Sequence, residues 1–383
     1  MNVKDLLITL VRQAIKGEKA NREEIEKSLS GEKLSTLFKV SKKHDVAHLV
    51  ADSIEKLGLS LEGEAWQAFL KEKEQSCLRY EMIQADINEI SACFNSQGID
   101  FIPLKGAVIR SIYPEPWMRT SCDIDILVRE DDLDRAVAAL VLNCSYKTDN
   151  KKTYHDISLF SPFGMHLELH YNIKENQPQY DKLLTQVWDF SKKVADHMYS
   201  ESEEFLIYHL IAHMAYHFAM GGCGFRSVLD LWLVKNKLDF DTDSLKTMLK
   251  NSGLERFYTV ISELADHWFG ENISLDSVVL DAEKYILLGG AYGTQKQGAV
   301  STQIKMGGKV KYFRSRIFMD YNSLSLLYPI IKKHKILTPF CQITRWFGAI
   351  FKSKRIVNEI KNVSSTSSED INNIKRLLND LGL

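Results

Sequence analysis

Apolar residues recur every three or four positions through residue 96, as in "EKLSTLFKVSKKHDVAHLVADSIEKLG" and "EAWQAFLKEKEQSCLRYEMIQADINEISACF". That period puts them on one side of a helix, with no strand-like alternation and little Gly or Pro to interrupt it. Residues 1–97 therefore read as an N-terminal helical region. The texture changes at "SQGIDFIPLKG", where Gly98 ends the helix and the run Phe101 to Leu104 predicts a strand. A helix from Ala107 to Tyr113 should follow, then a loop closed by Pro114 and Pro116, the strand "DIDILV" and an acidic-capped helix "EDDLDRAVAALV". "YHDISLF" and "MHLELHYNI" alternate between polar and apolar, joined by the turn "SPFG". The pattern thus predicts a small α/β unit over residues 98–184. From 185 to 383 it returns to helices, starting with "SEEFLIYHLIAHMAYHFAM" and ending in a Ser-rich linker and one short tail helix. No internal repeat of fixed period interrupts this order.

Composition narrows the class. The 383 residues are 26% charged and 45% hydrophobic with a net charge of −1, as in a folded soluble protein. A balance near zero gives no global pull toward nucleic acid or membrane, so any such preference must be local. The six cysteines (Cys77, Cys93, Cys122, Cys144, Cys223, Cys341) are scattered without a C-x-x-C pair, which suggests neither a disulfide framework nor a zinc knuckle. The N-terminal "MNVKDLLITLVRQAIKGEK" has too short and too charged an apolar run for a signal peptide or membrane span. A cytoplasmic protein opening on an amphipathic helix is the expectation.

Successive side chains of a strand face opposite ways, so Asp123 and Asp125 project together while Cys122, Ile124, Ile126 and Val128 can face a core. Two adjacent carboxylates repel unless a cation lies between them, and oxygen ligands of this kind suit Mg²⁺ or Mn²⁺. In "MHLELHYNI" the same alternation groups His166, Glu168 and His170. Glu168 becomes a third carboxylate of the set if the two strands are neighbours. The competing reading is a solvated D-x-D on an edge strand, against which stands the otherwise apolar character of "DIDILV".

Gly106 falls where a strand gives way to a helix, a place where free amides and the helix dipole can hold phosphate. Lys105 adds charge at the same spot, and Arg119 lies four residues before Asp123, within reach of phosphate oxygens. Alone, this would be a routine tight turn with a solvated lysine. Phosphate-binding groups, a same-face carboxylate pair and a distant third carboxylate together make the set that metal-assisted nucleotidyl transfer requires.

"LKGAVIRSIYPEPWMRTSCDIDILV" resembles the signature of the uncharacterised nucleotidyltransferase family within the DNA-polymerase-β-like superfamily. "HLELHYNI", "HLIAHMAYHF", "FRSVLDLWLV" and the distal "LLYPIIKKHKILTPFCQITRW" are also similar to that family's layout. The resemblance implies an α+β fold, with a small mixed-sheet, polymerase-β-like core flanked by N- and C-terminal helical domains. It implies a Mg²⁺- or Mn²⁺-dependent enzyme that transfers a nucleoside monophosphate from an NTP to an acceptor and releases pyrophosphate. Gly106 would match the glycine of the phosphate-holding turn, Asp123 and Asp125 the metal-binding pair, and Glu168 the third acidic residue. Lys105 and Arg119 belong to this family's own variant and would contact triphosphate. The superfamily commonly places Gly or Ser after its glycine, whereas Ala107 stands here and offers no hydroxyl; the spacing from Gly106 to Asp123 is also longer. The acceptor stays open among a protein side chain, a tRNA, a sugar phosphate and a small molecule. The other function class is a non-catalytic nucleotide- or RNA-binding regulator of toxin-antitoxin type on the same scaffold.

Two further features compete with bland readings. His209, His213 and His217 lie four apart on one helix, a spacing open to zinc, and to a hydrolase built on it, or to structural hydrogen bonds across a domain interface. Arg226 and Asp230, one turn apart, predict an intrahelical pair, and with His213 and His217 are candidates for lining the cleft. From Lys305 to Arg355, basic residues and aromatics are interleaved with a single acid, Asp320. An RNA backbone, an anionic membrane surface and a solvated helix face all fit that stretch.

Overall fold

Five helices come first: α1 (Val3–Lys16), α2 (Arg22–Ser28), α3 (Gly31–Lys43), α4 (Ala47–Lys56) and α5 (Glu64–Gln97). They belong to a computed structural model that describes residues 1–18, 20–29, 31–270, 274–291, 293–307, 311, 314, 318–351 and 367–383. Local chemistry accounts for their ends. The Asn2 side chain accepts from the Asp5 amide at the start of α1, and Gly17 ends it with φ 70°. At 34 residues α5 is about 51 Å long, enough to join two hydrophobic cores. Its Trp66 and Phe69 pack among the helices, while Ile83, Ile90 and Phe94 pack under the sheet.

The α/β part holds β1 (Phe101–Pro103), α6 (Lys105–Ile109), β2 (Asp123–Val128), α7 (Leu133–Asn143), β3 (Lys147–Lys152), β4 (Asp156–Phe160), β5 (His166–His170), α8 (Pro178–Leu184), β6 (Ser191–Ala195) and β7 (Met198–Glu201). The strands form one mixed sheet in the order β3-β4-β5-β2-β1-β7-β6. β2 runs parallel to β5, and β1 parallel to β7; the other neighbours are antiparallel. The fold is α+β with helices on both sides of a seven-stranded sheet.

Three of these strands are absent from the sequence expectation. β3 reads "KTDNKK" and β6 reads "SKKVA". Both are edge strands, where lysines discourage pairing with another chain, and β6 has no buried face to impose alternation. β7 pairs with β6 and carries the sheet on to Glu201. The expected helix Ala107–Tyr113 starts two residues earlier, at Lys105, and tightens into a 3₁₀ turn over Arg110–Ile112. Cys122 precedes β2 and is exposed rather than inward.

One face of the sheet carries Ile124, Ile126, Val128, Leu167 and Leu169 against α5 and α7. The opposite face looks toward the C-terminal helices, of which α9 (Glu203–Met220), α10 (Phe225–Lys237), α11 (Thr242–Asn251), α12 (Glu255–Phe269), α13 (Ser277–Gly289) and α14 (Gln295–Met306) come first. Helices at Thr338–Phe351 and Ser368–Asp380 follow. Part of the basic stretch 305–355 lies outside the described residues. No helix among the described residues is long and apolar enough to cross a membrane.

The loop from Tyr113 to Ser121 is fastened from three directions. Arg119 Nε and Nη2 donate to the Asp230 carboxylate at 3.1 and 3.0 Å, and the Tyr113 hydroxyl donates to the same carboxylate at 2.7 Å. Arg226 Nη1 donates to Asp45 and, at 3.0 Å, to the Thr120 carbonyl. His48 Nε2 lies 2.7 Å from the Met118 carbonyl, and Ser76 donates to the Trp117 carbonyl at 2.7 Å. Arg226 and Asp230 thus both reach outside the helix that the sequence suggested would pair them. Arg119 and Asp230 are only 7% and 4% exposed, so losing one strands the other charge in a dry site. Asp230→Ala should lower the unfolding free energy by about 3–5 kcal/mol, read as a lower urea midpoint at unchanged slope. A loss below about 1 kcal/mol would place the loop's anchorage elsewhere.

Candidate active site

β2 and β5 run side by side with Asp123 opposite His166 and Asp125 opposite Glu168. All four side chains are half-buried on one face, whereas Ile124, Leu167 and Leu169 are buried on the other. Asp123, His166 and Glu168 offer donor atoms within 4.8 Å of one another, and so do Asp125, Glu168 and His170. The parallel register therefore sets Asp123 and Asp125 each within reach of Glu168, with a histidine completing each cluster.

Charge in this cluster is unequally distributed. Burial, then the charges of Asp125 and Glu168, push the Asp123 carboxyl up. Burial opposes ionisation of Asp125 too, but the hydrogen bond and charge of His170, aided by Lys105, hold its carboxyl well below the usual range. His170 Nε2 sits 3.4 Å from Asp125 Oδ1 and 3.6 Å from Glu168 Oε2. Burial works against its protonation, yet those two carboxylates prevail and raise the imidazole to about 9. His170 thus serves as a built-in counter-cation. Two carboxylates converge on it, as they would on a metal ion.

The carboxylate face opens into a cleft of about 270 Å³ lined by Lys105, Asp125, Tyr154, His155, Glu168, His170, Glu175, His213 and His217 among others. Its far wall is α9. That helix is buried almost all round, with the exceptions beyond its first turn falling on His213, Tyr216, His217, Ala219 and Met220. Each i+4 step turns by about 40° more than a full circle, so the three histidines fan out rather than stack in line. His209 is fully buried on Glu201 at 2.8 Å. His213 presents Nδ1 to Glu175 at 2.7 Å, and its ring lies 4.3 Å from that of His217. Burial, together with Lys105, lowers His213 to about 3, so it stays neutral and donates Nδ1–H to the ionised Glu175.

Lys105, Gly106 and Ala107 form the first turn of α6, directly after β1. The Leu104 amide donates to the Asp125 carbonyl at 3.0 Å, which presses this turn against the carboxylate strand. The Ala107 amide donates back to the Leu104 carbonyl at 2.9 Å, and among the described residues Lys105 has no ion-pair partner. Lys105 lines the cleft; Gly106, Ala107, Asp123 and Arg119 are not part of that lining. Arg119 sits behind the turn, where Nη1 donates to the Gly106 carbonyl at 3.3 Å. A Cβ on Gly106 would lie 3.3 Å from the same nitrogen, so the glycine makes room for the arginine. Tyr154 and His155 open the alternating "YHDISLF", but nothing local shows that they face the cleft, and Glu175 sits in the segment between β5 and α8, where no periodicity marks it. His170 was visible in the H-x-E-x-H alternation, but its role depends on which strand lies alongside.

The raised His170 sets a pH dependence for the metal-free chain. Its folded value of about 9 exceeds the ordinary imidazole value of about 6.5, so its contribution is fully present below about pH 6.5 and is lost as pH rises through about 9. Stability of chelator-treated protein should fall by a few kcal/mol over that window and stay flat in His170→Gln. An NMR titration showing the His170 ring deprotonating near pH 6.5 would contradict this.

No curated protein and no solved structure matches the chain. A family model described as uncharacterised nucleotidyltransferase matches residues 30–270, well over half of the chain and the whole of the sheet. The match ends before the distal "LLYPIIKKHKILTPFCQITRW" segment, whose similarity was read from sequence. With the strand–Lys-Gly–helix turn, the Asp-x-Asp strand and Glu168 all inside the matched span, the chain belongs to the uncharacterised nucleotidyltransferase family.

Proposed function

We propose that this chain is a metal-dependent nucleotidyltransferase with a polymerase-β-like catalytic core, acting in the cytoplasm on an NTP and an acceptor bound in the cleft beside α9. The observation that carries the reading is the register that sets Asp125 against Glu168, with Asp123 on the same face and Lys105 in the same cleft. Glu168 is shared by two ligand clusters, one with Asp123 and His166 and one with Asp125 and His170, so carboxylate oxygens suited to a hard divalent cation supply two of the three donors in each. Mg²⁺ or Mn²⁺ held by Asp123, Asp125 and Glu168 would supply charge neutralisation on the triphosphate and a more acidic acceptor hydroxyl.

The protein's own groups then have distinct tasks. Lys105 grips the triphosphate, with the Lys105 and Gly106 backbone at the start of α6 beside it and Ala107 closing the turn. Arg119 acts from behind, holding the Gly106 carbonyl and fixing the turn. Asp125 and Glu168 orient the acceptor hydroxyl and draw off its proton. The acceptor oxygen bonds to the α-phosphorus as the α–β bridging bond breaks, and pyrophosphate carries the electron pair away.

Asp123→Ala and Asp125→Ala should each cut NTP-dependent pyrophosphate release by about a thousand-fold, equivalent to about 4 kcal/mol, with circular dichroism unchanged. Wild-type turnover in either variant would end the reading. Tight NTP binding without pyrophosphate release, across extracts that supply protein, tRNA and small-molecule acceptors, would instead favour a binding-only regulator.

A further inference from the structure

A third ligand cluster lies beside the carboxylates and is not used by the proposed transfer. His155, Asp156 and His170 offer donor atoms within 4.8 Å of one another. His155 Nε2 is 3.2 Å from Asp156 Oδ2, and the His155 and His170 rings lie 5.4 Å apart at 34°. The antiparallel register of β4 and β5 sets Asp156 against His170, so the pairing is built into the sheet.

The local chain also holds this cluster in shape. The Thr153 hydroxyl donates to Asp156 Oδ1 at 2.8 Å, and its oxygen accepts the amides of His155 and Asp156 at 3.2 and 3.1 Å. The turn before β4 is thereby closed around one side chain, with Asp156 Oδ2 left facing His155. Asp156 is 6% exposed, while His155 and His170 line the cleft, so a solvated ion can reach the two imidazoles.

The donor type separates this cluster from its neighbour. Each neighbouring cluster holds two carboxylates and one imidazole, whereas two imidazoles and one carboxylate tilt this one toward a borderline transition ion such as Zn²⁺ or Co²⁺. We infer that His155, Asp156 and His170 form a second cation site, for a divalent transition-metal ion, adjoining the carboxylate site and sharing His170 with it. An imidazole can ligate through one nitrogen while the other donates to a carboxylate, the usual second-shell arrangement. His170 would in that way tie the transition ion to Asp125 and Glu168. The inference stands whatever reaction the cleft performs.

The test uses the full chain, stripped with a chelator and titrated with Co²⁺ in excess Mg²⁺, followed by visible absorption and isothermal calorimetry. Wild type and Asp123→Asn should each take up about one equivalent that Mg²⁺ does not displace. His155→Gln and Asp156→Asn should weaken Co²⁺ binding by more than the roughly 10–100-fold that a lost second-shell partner costs. X-ray absorption on the wild-type cobalt protein should show imidazole scattering from two histidines, which decides the matter even if a variant fails to fold. Undiminished Co²⁺ binding in a folded His155→Gln, an oxygen-only shell in the wild type, or full displacement by Mg²⁺ would overturn the assignment.

Discussion

The buried Asp230 carboxylate is the point on which the carboxylate face of the sheet depends. It takes Arg119 and Tyr113 from the loop between α6 and β2, and Arg119 in turn holds the Gly106 carbonyl at the start of α6. One carboxylate on α10 thereby sets where the strand–helix turn lies relative to the Asp-x-Asp strand. A buried ion pair of this kind is a weak source of net stability, because desolvation offsets most of its Coulomb gain. Its value lies in geometry: a bidentate guanidinium accepts one orientation, and a dry site leaves water no chance to replace it.

The same economy of charge runs through the cleft. Carboxylates face imidazoles at nearly every step: Asp125 and Glu168 meet His170, Glu175 meets His213, Glu201 meets His209, and Asp156 meets His155. Burial keeps His213 neutral while two carboxylates keep His170 charged, so identical side chains in one cleft hold different protonation states. Lys105 lines the same cleft without an ion-pair partner among the described residues.

Much of this was legible from residues alone. The two-residue period of "DIDILV" put Asp123 with Asp125, and that of "HLELH" put Glu168 with His166 and His170, before any strand order was known, because alternation is a property of the extended backbone itself. Helix periodicity marked the N-terminal region for the same local reason. Edge strands β3 and β6 left no such mark, since a strand with a solvated face needs no apolar alternation. The partner of Arg119 was hidden for a related reason: nothing local in the sequence marks a pairing with a carboxylate more than a hundred residues away.

The sequence by itself determined which residues could share a face, where the strand–glycine–helix turn falls, and that the chain carries the chemistry of a nucleotidyltransferase family. Those are short-range matters, governed by backbone geometry and residue type. Tertiary structure alone decided that β2 lies parallel to β5, that Arg119 pairs with Asp230, and that His213 and His217 line the cleft with Asp125 and Glu168. Each joins segments distant in the chain, and only the packing of apolar faces, Ile124 and Leu167 against α5 and α7 and α9 among its neighbours, selects which of them meet.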